Sequence, residues 1–64
     1  MRARTITAAA ELDALPYGSI IRDKFKDSLE KWPDGWHSFE TAVMPSSYVR
    51  KWLPATVLYE PVAQ

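Results

Sequence analysis

The segment WPDGW at residues 32–36 constrains the fold most, because it joins two apolar stretches through residues that favour a tight turn. Proline sets φ at the second turn position, aspartate suits the third, and glycine accepts the left-handed conformation that follows. The segment therefore predicts a β-hairpin whose type I turn closes with a glycine bulge. In this register Trp32 lies opposite Trp36. Leu29 likewise lies opposite Phe39, so apolar side chains meet twice.

A two-residue Asp-Gly turn is the alternative for this hairpin. It would pair Glu30 with Phe39, a less favourable match than the apolar pairs of the first register. The preferred register places Trp32 and Trp36 on the same face of the hairpin and leaves apolar side chains on the other face as well. Such a hairpin is either covered on both faces or exposes a pair of tryptophans.

This chain of 64 residues has no cysteine and therefore cannot form a disulfide. Its stability must come from other interactions. One histidine is too few for a structural zinc site, which needs four cysteine or histidine ligands. Small domains without these supports depend on their hydrophobic core or on self-association. The three tryptophans, three tyrosines and two phenylalanines are therefore expected to form most of the core of a single domain over residues 1–64.

The five prolines divide the rest of the chain into short elements. The predicted order is a strand over residues 2–6, a helix over residues 8–14, a strand over residues 19–25, the hairpin with its second strand continuing over residues 41–44, one helical turn from residue 46, and a strand over residues 55–60. Thr7 is the expected N-cap of the helix. The last strand has apolar residues on both faces, which favours a central position in the sheet. Together these elements predict an α+β, mainly β fold: a small bent antiparallel sheet or SH3-like barrel with one short N-terminal helix.

His37 is the one side chain whose unperturbed pKa suits general base catalysis near neutral pH. On a strand, Ser38 and Glu40 stand an odd number of positions away from it, so both point to the opposite face. Two glycines cannot form a glycine-rich phosphate loop, and the carboxylates lack the spacing of a calcium loop. We therefore predict no catalytic, cofactor-binding or metal-binding residues, and a function other than catalysis.

Two aromatic features are candidates for an interaction surface. The first is Trp32 with Trp36, which either caps the end of the core or forms an aromatic anchor at an interface. The second is the alternation of aromatic and basic residues over 48–52. It is either one buried tryptophan with basic neighbours in solvent or a docking patch for an acidic protein surface. The candidate interaction residues are Trp32, Trp36, Tyr48, Arg50, Lys51 and Trp52.

The charges of the chain balance, with eight basic and eight acidic residues. This balance disfavours nonspecific binding to nucleic acid or to an anionic membrane, since both need a basic field. No apolar run approaches the roughly 18 residues of a transmembrane helix. Glu11 and Asp13 interrupt the apolar region that an N-terminal signal peptide would need, so a cytoplasmic location is expected.

Three segments resemble a family of short uncharacterised proteins from actinobacteria and their phages: ELDALP at residues 11–16, GSIIRD at residues 18–23 and LPATVLYEP at residues 53–61. Members of this family usually carry a glycine in the turn after the Arg-Asp pair, whereas residues 24–28 contain none. The resemblance implies a mycobacteriophage-type accessory protein that acts in the cytoplasm of a bacterial host. It implies no particular catalytic or binding residues.

The leading hypothesis for the function is a non-enzymatic protein-interaction module, a phage accessory protein that binds a host bacterial protein. It rests on the small size, the lack of catalytic groups, the surplus of tryptophan and the family resemblance. A self-associating structural protein, a homodimer that buries the aromatic surface, is the alternative. A weak nucleic-acid binder using Tyr48, Arg50, Lys51 and Trp52 is less favoured, because two cations give little affinity for phosphate.

Overall fold

The fold is an antiparallel five-stranded sheet with two short helices, seen in a computed structural model that describes residues 4–38 and 43–61. Its elements are β1 (Thr5–Ile6), α1 (Ala9–Ala14), β2 (Ile20–Arg22), β3 (Ser28–Trp32), β4 (Gly35–His37), α2 (Ser46–Val49), a 3₁₀ turn (Arg50–Trp52) and β5 (Ala55–Tyr59). The strands lie in the order β1-β5-β2-β3-β4, and every neighbouring pair is antiparallel. This arrangement confirms the predicted α+β, mainly β class.

Most elements lie where the sequence places them, with bounds that tertiary contacts adjust. The last strand is central, as predicted, because β5 lies between β1 and β2. The strand β2 is shorter than predicted and ends at Arg22, since residues 23–27 form the loop to β3. Beyond β4, Met44 forms an antiparallel bridge with Trp36. The predicted strand positions 2–3 and 41–42 lie outside the described part of the chain.

The core lies between one face of the sheet and the two helices. Its buried hydrophobic side chains are mostly aliphatic: Ile6, Leu12, Leu15, Ile21, Leu29, Trp36, Met44, Val49, Ala55 and Val57. Among the described residues, Trp36 is the one aromatic residue in this set, and Trp52 packs at its edge. The expectation that aromatic rings form most of the core is therefore wrong. The inward positions of the three central strands belong instead to Ile21, Leu29 and Val57, which are shorter side chains that fit between a sheet and two short helices.

The hairpin register differs by one residue from the preferred prediction. Trp36 pairs with Lys31 instead of Trp32. Because side chains alternate along a strand, this shift places Trp36 on the core face and Trp32 on the solvent face. The predicted pairing of the two tryptophans on one face is therefore wrong, and burial of one large indole in the core explains the register. Phe39 and its predicted pairing lie outside the described residues.

The C-terminal end of α1 is capped by a lysine from the sheet. The Nζ atom of Lys31 donates hydrogen bonds to three main-chain oxygens at 3.0, 2.8 and 2.7 Å, those of Leu12, Asp13 and Leu15. Carbonyls in the last turn of a helix lack the usual main-chain partners, so an ammonium group there satisfies them and complements the helix dipole. This single side chain therefore ties α1 to β3.

The side chain of Glu11 closes the N-terminal end of α1. The N-cap residue is Ala8, so the prediction of Thr7 as the N-cap is wrong by one position. The Oε1 atom of Glu11 accepts hydrogen bonds from the Thr7 N–H at 2.9 Å and the Thr7 hydroxyl at 3.2 Å. It also accepts one from the Ala8 N–H at 3.1 Å. These donors, led by the Thr7 main chain, hold the pKa of Glu11 below its ordinary value of 4.5.

Acidification is expected to remove the contribution of Glu11 to stability. Because its pKa is lowered in the folded chain, that contribution is complete above the ordinary value of 4.5 and is lost as the pH falls through the folded value. Glu11→Gln should therefore lower the melting temperature at neutral pH and flatten its decline in acid, as measured by circular dichroism. Glu30→Gln is the matched control, since Glu30 is an exposed residue of β3. A Glu11→Gln variant with the wild-type decline in acid would contradict this role.

Candidate interaction surfaces

A main-chain hydrogen bond joins two basic segments that are distant in the sequence. The Lys24 N–H donates to the main-chain oxygen of Trp52 at 2.9 Å, so the loop between β2 and β3 lies against the 3₁₀ turn. The loop, the 3₁₀ turn and the adjoining α2 therefore lie next to one another, and their cationic and aromatic residues form one candidate surface. We name this the basic aromatic surface; its members are Lys24, Phe25, Lys26, Tyr48, Arg50, Lys51 and Trp52.

A buried carboxylate holds the loop that carries half of this surface. The Oδ1 atom of Asp23 accepts hydrogen bonds from the main-chain N–H groups of Phe25 and Asp27, at 2.8 and 3.0 Å. Lys26 has a φ of 69°, a conformation that a non-glycine residue adopts only where surrounding contacts hold it. Its N–H donates to the Asp23 carbonyl oxygen at 2.9 Å. The loop thereby presents Phe25 with 63% of its surface exposed.

Aromatic and cationic side chains contact one another within each of the two segments of the basic aromatic surface. The Tyr48 ring meets the Trp52 ring edge-on, with centroids 5.3 Å apart and planes at 78°. The Nζ atom of Lys51 lies 4.9 Å from the centroid of the Tyr48 ring. In the loop, Lys24 Nζ lies 5.3 Å from the centroid of the Phe25 ring. These cation–π and edge contacts orient the rings, while Tyr48 keeps 45% of its surface exposed.

The basic aromatic surface carries a net positive charge, although the chain as a whole has none. Within residues 4–38 and 43–61, the close contacts between acidic and basic side chains are Arg4–Glu60 and Asp34–His37, and neither involves the four cations of the basic aromatic surface. The loop between β2 and β3 also carries two carboxylates. That of Asp27 is exposed, and that of Asp23 is buried. The local field therefore attracts anionic groups.

The solvent face of the sheet carries an open groove of about 340 Å³. We name it the sheet groove; it is lined by Ile20, Ser28, Leu29, Glu30, Trp32, His37 and Ser38. Trp32 has 49% of its surface exposed, and its ring centroid lies 4.9 Å from that of His37. His37 Nε2 lies 2.8 Å from Asp34 Oδ1, and this hydrogen bond lowers the pKa of the Asp34 carboxyl. Asp34 thus adds a second carboxylate beside that of Glu30 at the Trp32 end of the groove.

The six candidate interaction residues separate in the structure. The four from residues 48–52 lie together in the basic aromatic surface, and Trp32 lies in the sheet groove. Trp36 is 1% exposed, and its Nε1 donates a hydrogen bond to the Ser46 hydroxyl at 3.0 Å. Its place in the candidate interaction surface is therefore wrong, because its indole fills the core and its polar atom is satisfied inside the fold.

The sequence-based selection misses Lys24, Phe25 and Lys26. An aromatic residue between two lysines repeats the alternation seen at residues 48–52, and this was the available signal. In the sequence, however, the two lysines alternate with Asp23 and Asp27 and therefore indicate a charge-balanced strand edge. In the structure the Asp23 side chain turns inward and both lysines stay exposed, and only the tertiary structure places the loop beside the 3₁₀ turn.

The remaining chemical features of the described residues are limited. Within residues 4–38 and 43–61, no three histidine, aspartate or glutamate side chains lie close enough together to bind a metal ion. In the same part of the chain, no helix has the length and apolar character needed to cross a membrane. No protein-family model, curated protein or solved structure matches this chain. The two surfaces are therefore the features from which a function can be inferred.

Proposed function

We propose that this protein is a non-enzymatic interaction module, a phage accessory protein that binds an acidic surface of a host bacterial protein. The binding region is the basic aromatic surface. The observation that carries the proposal is the 2.9 Å hydrogen bond from Lys24 to Trp52, because it unites four cations with three aromatic rings. Neither the loop nor the 3₁₀ turn alone offers this combination.

Charge and aromatic area contribute to such binding in different ways. Exposed cations attract an acidic partner from a distance and raise the association rate. An exposed ion pair adds only about 0–1 kcal/mol to affinity, so charge alone produces a weak complex. The rings of Phe25, Tyr48 and Trp52 supply the apolar area, and Arg50 joins them, since aromatic and arginine side chains dominate the binding energy of interfaces.

The framework of the surface reduces the entropic cost of binding. Two main-chain hydrogen bonds to Asp23 order the loop, and the core holds Trp52 from beneath. Tyr48 in turn rests against Trp52. Side chains that are already oriented lose less freedom when a partner binds, which supports a role in recognition.

Within the α+β, mainly β class, we further propose that the fold is an SH3-like barrel. The meander β2-β3-β4, followed by the return of β5 beside β2 after a 3₁₀ turn, supports it. The basic aromatic surface is then built mainly from connections between strands, which is where a rigid scaffold commonly carries its binding residues.

The phage origin and the cytoplasmic location rest on the family resemblance of residues 11–16, 18–23 and 53–61. The resemblance implies an accessory protein in the cytoplasm of a bacterial host, where host proteins are available as partners.

Affinity capture from an actinobacterial host lysate tests the proposed function. The baits are the wild-type protein, Lys51→Glu, which reverses one cation, and Tyr48→Ala, which removes one ring. Tyr59→Ala is the matched control, because Tyr59 is an exposed tyrosine of β5 outside the basic aromatic surface. We expect one host protein to be retained by the wild type and by the control, and to be lost with both surface variants.

Two results would contradict the proposal. One is the capture of nothing by micromolar wild-type bait, and the other is equal capture by all four baits. Circular dichroism of each variant checks that loss of capture does not reflect unfolding. Binding of a single-stranded oligonucleotide that weakens steeply with salt would assign the surface to nucleic acid instead.

A further inference from the structure

We infer that the sheet groove binds the basic aromatic surface of a second copy of this chain, in a head-to-tail contact. The inference shares one surface with the proposed function but needs no host partner. It follows from how charge is distributed over the described residues, which the net charge of zero conceals.

The groove and the basic aromatic surface carry charges of opposite sign. Two exposed carboxylates lie at the groove: that of Glu30, at the centre of β3, and that of Asp34, in the turn beyond Trp32. The four cations of the basic aromatic surface lie on the loop before β3 and on the 3₁₀ turn. Each surface therefore attracts the other when two copies of the chain approach.

The groove also offers apolar surface that suits aromatic side chains. Trp32 is half exposed, and Ile20 on β2 pairs with Tyr59 on β5, which extends the apolar face across the sheet. On the basic aromatic surface, Phe25 and Tyr48 are the exposed rings. Aromatic rings from the second copy can therefore contact Trp32 in offset or edge geometry, while neighbouring lysines meet the carboxylates at the groove.

The same charges determine which surfaces can meet. A symmetric dimer built on one of the two surfaces places that surface against its own copy. Through the basic aromatic surface it would oppose cations to cations, and through the groove it would oppose Glu30 and Asp34 to their own copies. Like charges opposed across an interface weaken binding, whereas a head-to-tail contact opposes each surface to its complement. A contact of this kind continues into longer chains or closes into a ring.

Self-association then competes with binding of a host protein, because both use the basic aromatic surface. A concentrated solution of the protein covers this surface with its own groove. Dilution, or a partner that binds more tightly, exposes it again.

Sedimentation velocity with two variants tests the inference. Glu30→Lys alters the groove and leaves the basic aromatic surface intact, and Tyr48→Ala does the reverse. We expect the average mass of the wild type to rise above that of the monomer between micromolar and millimolar protein, and less so at high salt. Each variant alone should associate at least about tenfold more weakly. Asp27→Lys is the charge-matched control for Glu30→Lys, and we expect it to associate as the wild type does or better.

Mixing the two variants distinguishes a head-to-tail contact from a symmetric one. The intact basic aromatic surface of Glu30→Lys can bind the intact groove of Tyr48→Ala, so the mixture should form pairs and stop at two chains. A wild type that stays monomeric at millimolar concentration would overturn the inference. So would an equimolar mixture that stays monomeric under conditions where the wild type associates, because the two intact surfaces would then fail to bind each other. Association of either variant alone as strong as that of the wild type would indicate a symmetric contact through its intact surface and would overturn the inference as well.

One variant separates this inference from the proposed function. Glu30→Lys should lose self-association yet retain the host protein, because its basic aromatic surface is unchanged. A wild-type protein that captures the host protein but stays monomeric at millimolar concentration would overturn the head-to-tail contact and leave the proposed function standing. A wild-type protein that self-associates but captures no host protein would overturn the proposed function and leave the head-to-tail contact standing.

Discussion

Replacing Lys31 by methionine is expected to lower the free energy of unfolding by about 2–3 kcal/mol. Methionine keeps an unbranched apolar stem of similar length but cannot donate hydrogen bonds. The main-chain oxygens of Leu12, Asp13 and Leu15 would lose a donor that lies within 3.0 Å of each. Loss of a partner costs about 1–3 kcal/mol for each buried polar group, and access of water to the exposed Asp13 keeps the total below the sum.

Urea denaturation followed by circular dichroism measures this effect. Lys24→Met is the matched control, since the Lys24 ammonium group contacts the exposed Phe25 ring, and its change should stay within about 0.5 kcal/mol. Equal stability of the two variants would show that the hydrogen bonds to α1 add nothing to folding. A loss confined to Lys31→Met would show that this lysine fixes the helix to the sheet.

Gly35→Val should destabilise the fold by about 3 kcal/mol or more, for two reasons that act together. Gly35 has a φ of 137°, which side chains with a Cβ rarely adopt. A Cβ atom built there lies 2.7 Å from the main-chain oxygen of Met44 and 2.7 Å from a methyl group of Val43. The oxygen belongs to the bridge between Met44 and Trp36, so relief of the overlap would break main-chain hydrogen bonds.

A graded series keeps this prediction testable even where the valine variant does not fold. Gly35→Ala adds the Cβ alone and should lose less stability than Gly35→Val. Gly18→Ala is the control, because Gly18 has a φ of 92° but its Cβ would lie 3.2 Å from a Pro61 side-chain atom instead of from main chain. Its loss should be about 1 kcal/mol. Gly35→Val within about 1 kcal/mol of the wild type would contradict the close approach.

The candidate site was predicted in part. The alternation of aromatic and basic residues at 48–52 is a local pattern, and those residues do lie on one surface in the structure. The contribution of Phe25 and its flanking lysines was missed, because the burial of Asp23 and the contact with Trp52 depend on residues far apart in the sequence. The difference in charge between the sheet groove and the basic aromatic surface was hidden for the same reason, since composition records how many charges exist and not where they lie.

The hairpin shows how an error of one residue changes a surface. Pairing the two tryptophans satisfies cross-strand preference, which acts between neighbours. The observed register instead brings Trp36 into the core and leaves Trp32 in the groove. Burial of a large apolar side chain is worth more than one favourable surface pair, so the tertiary core determined the register.

The sequence by itself determined the mainly β class, the helix near residues 8–14, the positive φ of Gly35 and the central position of the last strand. These features depend on the preferences of adjacent residues and on the alternation of apolar positions, which a linear chain already contains. The tertiary structure alone decided which tryptophan is buried, which lysine caps α1 and which segments form the basic aromatic surface. Those outcomes depend on contacts between distant residues competing for one small core, and no local pattern records that competition.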